Sequence, residues 1–251
     1  MKIKCISCDA LARQTYLCAA QSPHLIDVEL VSMGQHIKPK ELNKTLQDKI
    51  DGVYDSAYDA IALCYGLCGQ ATSCLAARNI PVVIPRAHDC ITLCLGSKEE
   101  YRKQQKKCPG TIWHTKDYME RLDNAAEYSG MGASSAELYD ENAYKAMVNR
   151  MGRERADRII ASMGDMTRNY ERAVFIEQDT IEGKKEEELV REEAEKKGWR
   201  FEKMKGDIRL IKGLLNGDWP DEDYLRVEPG QKIATGFGDK IVRIADKAFD
   251  E

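Results

Sequence analysis

Residues 59–70 read DAIALCYGLCGQ, a short apolar run that ends in a turn bounded by two glycines. Every position from 60 to 65 is apolar, which is typical of a strand buried on both faces of a sheet. Residues 80–85, IPVVIP, have the same character. Because helical patterns lie between and beyond such runs, this stretch predicts a parallel sheet built from β-α-β units.

The same alternation of short apolar runs and helical patterns continues on both sides of this stretch. Further strands are predicted at 2–7, 25–32, 110–115, 173–177 and 199–204. Helices are predicted at 8–21, 39–51, 70–79, 90–97, 98–107, 184–198 and 207–219, with Pro39 placed in a first helical turn. The order of elements therefore predicts an α/β protein.

The chain divides by pattern into three parts. A cysteine-rich α/β lobe is predicted for residues 1–115, a helical segment for 116–172 and a second α/β lobe for 173–251. We therefore expect Rossmann-like parallel sheet units in two lobes joined by a helical segment, with a single extended doubly wound sheet as the alternative. The glycine-rich residues 128–135 are either a turn between helices or a loop between the lobes.

Composition narrows the classes of function. The 251 residues carry a net charge of −4 and no basic stripe, which argues against nucleic acid as the main partner. No apolar run approaches the roughly 18–20 residues that cross a bilayer, so we expect no membrane segment. The first residues lack the apolar core of an export signal. The sequence predicts a cytoplasmic protein.

All nine cysteines lie within the first 108 residues. Without an export signal, free thiols are expected rather than a disulfide framework. Packing in the core is the favoured interpretation for those within apolar surroundings, and Cys94 has a metal-ligand role as its alternative. These core candidates are Cys18, Cys64, Cys74 and Cys94. Cys108, before Pro-Gly, is predicted to lie in a turn.

Three cysteines follow predicted strands at the carboxyl end. Cys8 follows the first strand, Cys68 follows the run at 59–65, and Cys90 follows the run at 80–85. Ligands gather at that edge of open parallel sheets, and thiolates bind zinc, copper(I) and iron–sulfur units. We therefore predict a metal site at these three cysteines, with Gly66 and Gly69 allowing close backbone approach to a ligand.

The charged neighbours of these cysteines have two interpretations each. Arg86 and Asp89 either form an ion pair at a strand end, or bind an anionic substrate and orient a thiolate. Asp89 also suits the N-cap of a helix that begins at Cys90, whose thiol pKa would be lowered by the helix N-terminus and by Arg86. Asp9 is a proton acceptor or a helix cap. His88 is a metal ligand or a solvent-facing loop residue.

Three motifs together resemble the DUF1638 family. They are a cysteine–acid pair at 8–9, a Tyr-Gly-x-Cys-Gly turn at 65–69 and an Arg-x-x-Asp-Cys turn at 86–90, within ISCDALARQ and the long stretch from IALCYG to GSKEEY. PGTIWHT and the segment KKGWRFEKMKGDIRLIKGLLNGDW extend the resemblance. It implies a role for Tyr65 in the cofactor-binding turn. It also implies an association with corrinoid-dependent methyl-transfer systems.

The resulting expectation is a metal-binding protein of one-carbon metabolism that holds zinc or an iron–sulfur cluster. In this hypothesis Arg86 holds an anionic group, Asp89 orients a ligand and Asp9 accepts a proton. The partners would be a corrinoid protein or a methyltransferase, with a small-molecule substrate. One alternative is an accessory protein that delivers a metal or corrinoid cofactor. The other is a metal-free redox protein in which Cys68 and Cys90 form a reversible disulfide.

Overall fold

The computed structural model describes residues 1–121, 130–131, 148–149, 151–163 and 169–246. Within these ranges the protein has a five-stranded sheet, a three-stranded sheet and a two-stranded ribbon. Helices flank the parallel strands, so the predicted α/β class is confirmed. No helix in the described ranges is long and apolar enough to cross a membrane.

The strands are β1 (Lys2–Cys8), β2 (Leu25–Val31), β3 (Ala60–Cys64), β4 (Val82–Pro85), β5 (Thr111–His114), β6 (Arg172–Glu177), β7 (Arg200–Lys205), β8 (Tyr224–Val227), β9 (Ile233–Thr235) and β10 (Val242–Ile244). The α-helices are α1 (Ala12–Gln21), α2 (Pro39–Asp51), α3 (Cys90–Leu95), α4 (Lys98–Lys107), α5 (Lys116–Glu120), α6 (Arg153–Met163), α7 (Lys184–Lys197) and α8 (Arg209–Leu215). Two 3₁₀ turns, Asp9–Leu11 and Met33–Ile37, follow β1 and β2.

The five-stranded sheet has the order β2-β1-β3-β4-β8. Its first four strands are parallel, and β8 pairs antiparallel with β4 at one edge. Side chains alternate between the faces, because successive residues of a strand point in opposite directions. Cys5 and Cys64 therefore join one core cluster, while Cys8 joins the other.

Helices cover the two faces of this sheet differently. α1 and α8 pack together on the Cys5 face, where Leu11 and Leu214 are fully buried. α2 lies on the opposite face and buries Leu42, Leu46 and Ile50, which share one side of the helix at a spacing of four residues. The chain thus places consecutive helices on opposite sides of β1 and β3.

The three-stranded sheet, in the order β5-β6-β7, is wholly parallel and forms a second lobe. α7 covers one of its faces through Val190 and Ala194. Its other face brings Trp113 and Val174 into the same core cluster as α3 of the first sheet. The two lobes therefore share a hydrophobic core.

Sheet membership does not follow chain order. β5 precedes residue 115 but pairs with β6, while β8 lies beyond residue 173 and pairs with β4. Of the predicted helical segment 116–172, the structure describes α5, α6 and a few short pieces. Most of 128–135 lies outside the described residues. The division into three domains stays a prediction.

The segment after Cys68, predicted as a helix, is instead a series of turns. Cys68, Gln70 and Cys74 have positive φ values of 48°, 73° and 64°, which no α-helix accommodates. The amide of Cys74 donates to the carbonyl of Ile233, so its backbone pairs with the β9 region and not with its own turn. Long-range pairing of this kind has no local sequence signal.

Candidate functional site

The site lies where the strand order of the large sheet reverses, between β1 and β3. From β1 the chain moves to β2 on one side, and from β3 it moves to β4 on the other. Connections that leave neighbouring strands in opposite directions open a crevice at the carboxyl ends of those strands. Cys8 ends β1, and the turn with Cys68 follows β3 directly. Both thiols therefore flank the crevice, and Cys90 follows the next strand.

The turns after β3 and β4 are joined by their backbones. Leu67 and Cys68 donate amide hydrogen bonds of 2.9 and 2.8 Å to the carbonyls of Ala87 and His88. A Cβ atom at Gly66 would lie 2.5 Å from the amide nitrogen of Asp89, so only glycine permits this approach. Gly66 thus serves the contact between the two turns, which sets Cys68 beside the start of α3.

Cys68 adopts a left-handed backbone conformation that glycine would adopt at lower cost. Such a residue costs on the order of 1–3 kcal/mol and is found most often at functional sites. Burial raises the pKa of the Cys68 thiol to about 12, with the Asp89 charge adding to the rise. The N–H groups of Gly66 and Cys90 act in the opposite direction. The sulfur of Cys68 thus faces the N-terminus of α3.

The three thiols influence one another. Burial raises the pKa of Cys8 well above its ordinary value, and the nearby Cys68 adds to the rise. Burial also raises the pKa of Cys90, with further contributions from Asp89, Cys8 and Cys68. The prediction of a lowered Cys90 pKa is therefore wrong, because desolvation and a neighbouring carboxylate outweigh the short helix that follows. All three thiols stay protonated at neutral pH.

Asp89 caps α3, as predicted. Its Oδ1 accepts hydrogen bonds from the Thr92 amide at 3.0 Å and the Thr92 hydroxyl at 3.2 Å. Its Oδ2 accepts one from the Tyr101 hydroxyl at 2.9 Å. Burial nonetheless raises the carboxyl pKa above its ordinary value, and these hydrogen bonds offset only part of that rise. His88 is exposed, beside the Tyr101 ring at 5.6 Å, which fits the solvent-facing interpretation.

Arg86 is nearly fully buried and is bonded to the C-terminal part of the chain. Its Nε donates to the Asp221 carbonyl at 2.7 Å, and an Nη donates to the Asp221 carboxylate at 2.6 Å. Its other Nη donates to the Val242 carbonyl. Arg86 does form an ion pair at a strand end, but with Asp221 and not with Asp89. The structure does not bring its guanidinium together with the thiols.

Asp9 does not cap the helix that follows it. Its Oδ1 accepts a hydrogen bond of 2.7 Å from the amide of Met33, and its Oδ2 lies 3.7 Å from the Arg121 guanidinium. Asp9 thereby fixes the start of the 3₁₀ turn Met33–Ile37 against the end of β1. Gly69, the other predicted glycine, has a φ of +63° that favours glycine and open space around it, and its predicted part in ligand approach stays a prediction.

Sequence reasoning missed His36, which lies in this 3₁₀ turn. Its ring stacks on Tyr65 with 6.0 Å between centroids, and its Nδ1 donates to the Met33 carbonyl at 2.9 Å. Its Nε2 and the Tyr65 hydroxyl are buried atoms with no hydrogen-bond partner. A signal was present, since β2 is parallel to β1 and the turn after β2 must reach the same edge of the sheet.

Met131 approaches the site from the second lobe. Its Sδ accepts a contact of 3.5 Å from the Cys90 thiol. Residue 131 exchanges two backbone hydrogen bonds with Trp113 of β5, at 3.1 and 2.7 Å. Gly130 allows this pairing, because a Cβ there would lie 2.7 Å from the Trp113 carbonyl oxygen. The thioether of Met131 thus contacts the Cys90 thiol.

The remaining cysteines separate into buried and exposed ones. The core interpretation is confirmed for Cys18, Cys64 and Cys94, which are fully buried. It is wrong for Cys74, which is exposed because the predicted helix is a series of turns. Cys74 lines a cleft of about 690 Å³ between these turns and the start of α2. Cys108 is buried at the end of α4, where the chain turns.

Three thiols thus meet at one edge of the sheet, but they are not arranged around a common point. In the described part of the chain, no group of three or more histidine, cysteine or acidic side chains stands ready to hold a metal ion. Cys90, for example, donates to Met131. Metal binding would require these side chains to change rotamer.

The fold and the site define an α/β protein with a cluster of protonated thiols at its strand-order reversal. The chain belongs to the DUF1638 family, whose description is "Protein of unknown function (DUF1638)" and whose family model matches residues 30–215. No curated protein and no solved structure matches the chain.

Proposed function

We propose that the protein binds a metal through the thiols of Cys8, Cys68 and Cys90. The observation that supports this most directly is their position after three neighbouring strands at the crevice, where Cys68 raises the pKa of Cys8 and both raise the pKa of Cys90. The proposed metal is zinc or an iron–sulfur cluster, because both take thiolate ligands.

The charges around the three thiols suit a bound cation better than a bound anion. Burial raises the pKa of Cys8, Cys68 and Cys90, so none of them is a ready thiolate unless a positive group is present. Asp89 makes the surroundings more negative, and Arg86 is bonded elsewhere, which disfavours an anionic substrate. A metal cation would supply the positive charge that three ionised thiols require, and its uptake would release their protons.

Metal content of protein purified without oxygen tests the proposal. We expect one zinc ion or one cluster per wild-type chain, measured by elemental analysis and an absorption spectrum. Cys68→Ser should lose the metal, whereas Cys74→Ser, a nearby exposed cysteine that also has a positive φ, should keep it. A wild type that stays metal-free after anaerobic reconstitution, or a Cys68→Ser protein that retains its metal, would refute the proposal.

The place of this site in metabolism is a further part of the proposal. We place it in methyl-transfer metabolism, with a corrinoid protein or a methyltransferase as partner, on the resemblance of the motifs at 65–69 and 86–90. Nine free cysteines suit the reducing cytoplasm, which we propose as the location. Methyl transfer from a methylated corrinoid protein, lost in folded Cys68→Ser, would identify an enzyme. Metal-loaded wild type without turnover would favour an accessory protein.

A further inference from the structure

We propose that two copies of this chain associate through β2, which forms an antiparallel pair with β2 of the second copy about a two-fold axis at Val28. The two five-stranded sheets then become one continuous sheet. The proposal concerns the free edge of the large sheet and not the thiols, so it goes beyond the proposed function and does not depend on it.

β2 has an outer edge that is available for pairing. The strand order β2-β1-β3-β4-β8 places it at one end of the sheet. The amide of Leu25 donates to the Met1 carbonyl at 3.1 Å, which is the side of β1. Successive residues of a strand direct their backbone groups to opposite edges. Ile26, Val28 and Leu30 therefore direct their N–H and C=O groups outward, where no described residue pairs with them.

The composition of β2 does not protect this edge. Its sequence, LIDVELV, has five aliphatic residues in seven and no lysine, arginine or proline. Its register with β1 is unbroken, so it has no bulge, and Leu25 is 65% exposed. β7, an edge strand of the other sheet, carries Arg200, Lys203 and Lys205. Because proteins blunt free edges with such charges, prolines or bulges, an unblunted β2 indicates a pairing surface.

The pattern of outward groups selects one register. Centred on Val28, the pair places Val28 opposite itself and Ile26 opposite Leu30 of the second copy. Each facing pair exchanges two backbone hydrogen bonds, and every outward N–H and C=O of β2 is used. A pair centred on Asp27 or Glu29 would leave one outward residue unused and place identical carboxylates opposite each other.

The charges on the strand suit the same register. Asp27 then lies opposite Glu29 of the second copy. Glu29 is bound by Lys4 at 2.8 Å and also by Lys49, so these three side chains together carry one net positive charge. Asp27 accepts a hydrogen bond of 2.7 Å from the Tyr58 hydroxyl, and no described lysine or arginine forms an ion pair with it. The lysines that bind Glu29 thus offset Asp27 of the other copy, at two symmetric places.

This geometry has a consequence for the thiol crevices. Antiparallel β2 strands direct the carboxyl ends of the two sheets in opposite directions. The crevices therefore lie at opposite edges of the joined sheet, and each chain keeps its own complete site. The interface is the same patch on both copies, so it closes at two chains and leaves neither β2 free.

Sedimentation and residue-resolved hydrogen exchange test the proposal in the Cys74→Ser protein, which excludes crosslinks through the exposed thiol. We expect a dimer at about 100 μM in which the amides of Ile26, Val28 and Leu30 are protected. The amides of Asp27 and Glu29 face β1 and serve as protected internal references. A monomer at this concentration, or a dimer whose three outward amides exchange freely, would overturn the proposal.

Val28→Pro removes an outward N–H that the single chain does not use, a substitution that an edge strand tolerates. We expect the folded variant to sediment as a monomer. A folded Val28→Pro protein that remains a dimer would contradict the proposed pairing.

A charge exchange decides the register, including the case in which Val28→Pro does not fold. Lys49→Glu should raise the dimer dissociation constant on the order of 10-fold, because the group around Glu29 becomes negative and faces Asp27. Asp27→Lys added to Lys49→Glu should restore the dimer. Lys185→Glu, the same change at an exposed position of α7, is the matched control. A Lys49→Glu dimer as tight as this control, or no restoration in the double variant, would overturn the proposed register.

Discussion

Asp89 combines a structural role with an electrostatic cost. Its carboxylate caps α3 and accepts the Tyr101 hydroxyl, yet burial raises its pKa. The folded protein therefore binds this proton more tightly than the unfolded chain does. The contribution of Asp89 to the free energy of unfolding decreases as pH rises from about 3.8, its ordinary pKa, through the raised value, and it stays low at neutral pH.

Asp89→Asn should remove this cost while keeping the cap, since asparagine is an equally good N-cap residue. We expect the variant to gain on the order of 1 kcal/mol over wild type at pH 7 and less at pH 4. Urea unfolding of metal-free protein at both pH values measures the difference. Asp221→Asn is the control. It should lose stability at pH 7 and not gain it, because Arg86 lowers the pKa of Asp221 and so favours its charged form. A gain for Asp89→Asn that is larger at pH 4 would contradict this account.

Individual residues of the site could be predicted where they follow directly on a predicted strand. Cys8, Cys68 and Cys90 follow from the rule that ligands gather at the carboxyl edge of parallel strands. His36 and Met131 did not follow, because neither lies in a motif and their contacts with Tyr65 and Cys90 are tertiary. The pKa of Cys90 was also mispredicted, since burial cannot be read from a helix start alone.

Among the elements, the edge strand β8 is held by its backbone pairing with β4, and the segment before it is held by a side chain that follows β4. It pairs antiparallel with β4, and the Arg86 side chain that follows β4 binds the carbonyls of Asp221 and Val242. The guanidinium thus connects the end of a central strand to two separate parts of the C-terminal segment.

We expect Arg86→Ala to lower the free energy of unfolding by about 2–4 kcal/mol, since it leaves the buried carbonyl of Val242 and the partly buried carbonyl of Asp221 without this donor. Asp221→Ala, which removes an exposed carboxylate but leaves the carbonyl, should cost less than about 1 kcal/mol. Chemical denaturation of both variants measures this. An Arg86→Ala protein of unchanged stability that fails to bind an anionic ligand would instead support the role predicted from sequence.

Helices with complete local signals were predicted closely. Pro39–Asp51 and Lys98–Lys107 have the predicted bounds, because a first-turn proline begins one and the serine cap at 97 begins the other. The turns after Cys68 were not predicted, since two amides that a helix would use, those of Cys74 and Ala77, pair with the carbonyls of Ile233 and Gln231. Local propensity describes elements stabilised by their own residues and fails for those stabilised by distant ones.

At the scale of the whole molecule, each sheet includes a strand from the part of the sequence that forms most of the other. β5 leaves the first lobe to pair with β6, and β8 returns from the C-terminal half to pair with β4. α8 returns with it and packs on α1. The large sheet is therefore complete only when residues from both halves of the sequence are present.

A fragment of residues 1–115 should not fold alone, because it lacks α8 and β8 and leaves β5 without a partner strand. We expect no cooperative thermal transition and no near-ultraviolet circular dichroism for the fragment, with the full chain as the control. Addition of the separate fragment 116–251 should restore both signals. Cooperative unfolding of 1–115 by itself would show that the predicted domain boundary is an independent folding unit.

The positions of the nine cysteines have a practical consequence for anyone who purifies this protein. Cys74 alone is exposed, at the mouth of an open cleft, while the others are buried or half-buried. In aerated buffer, two copies will therefore crosslink first through Cys74, and a dimer band on a non-reducing gel would reflect that artefact. The Cys74→Ser protein is the right starting material for every measurement of quaternary state.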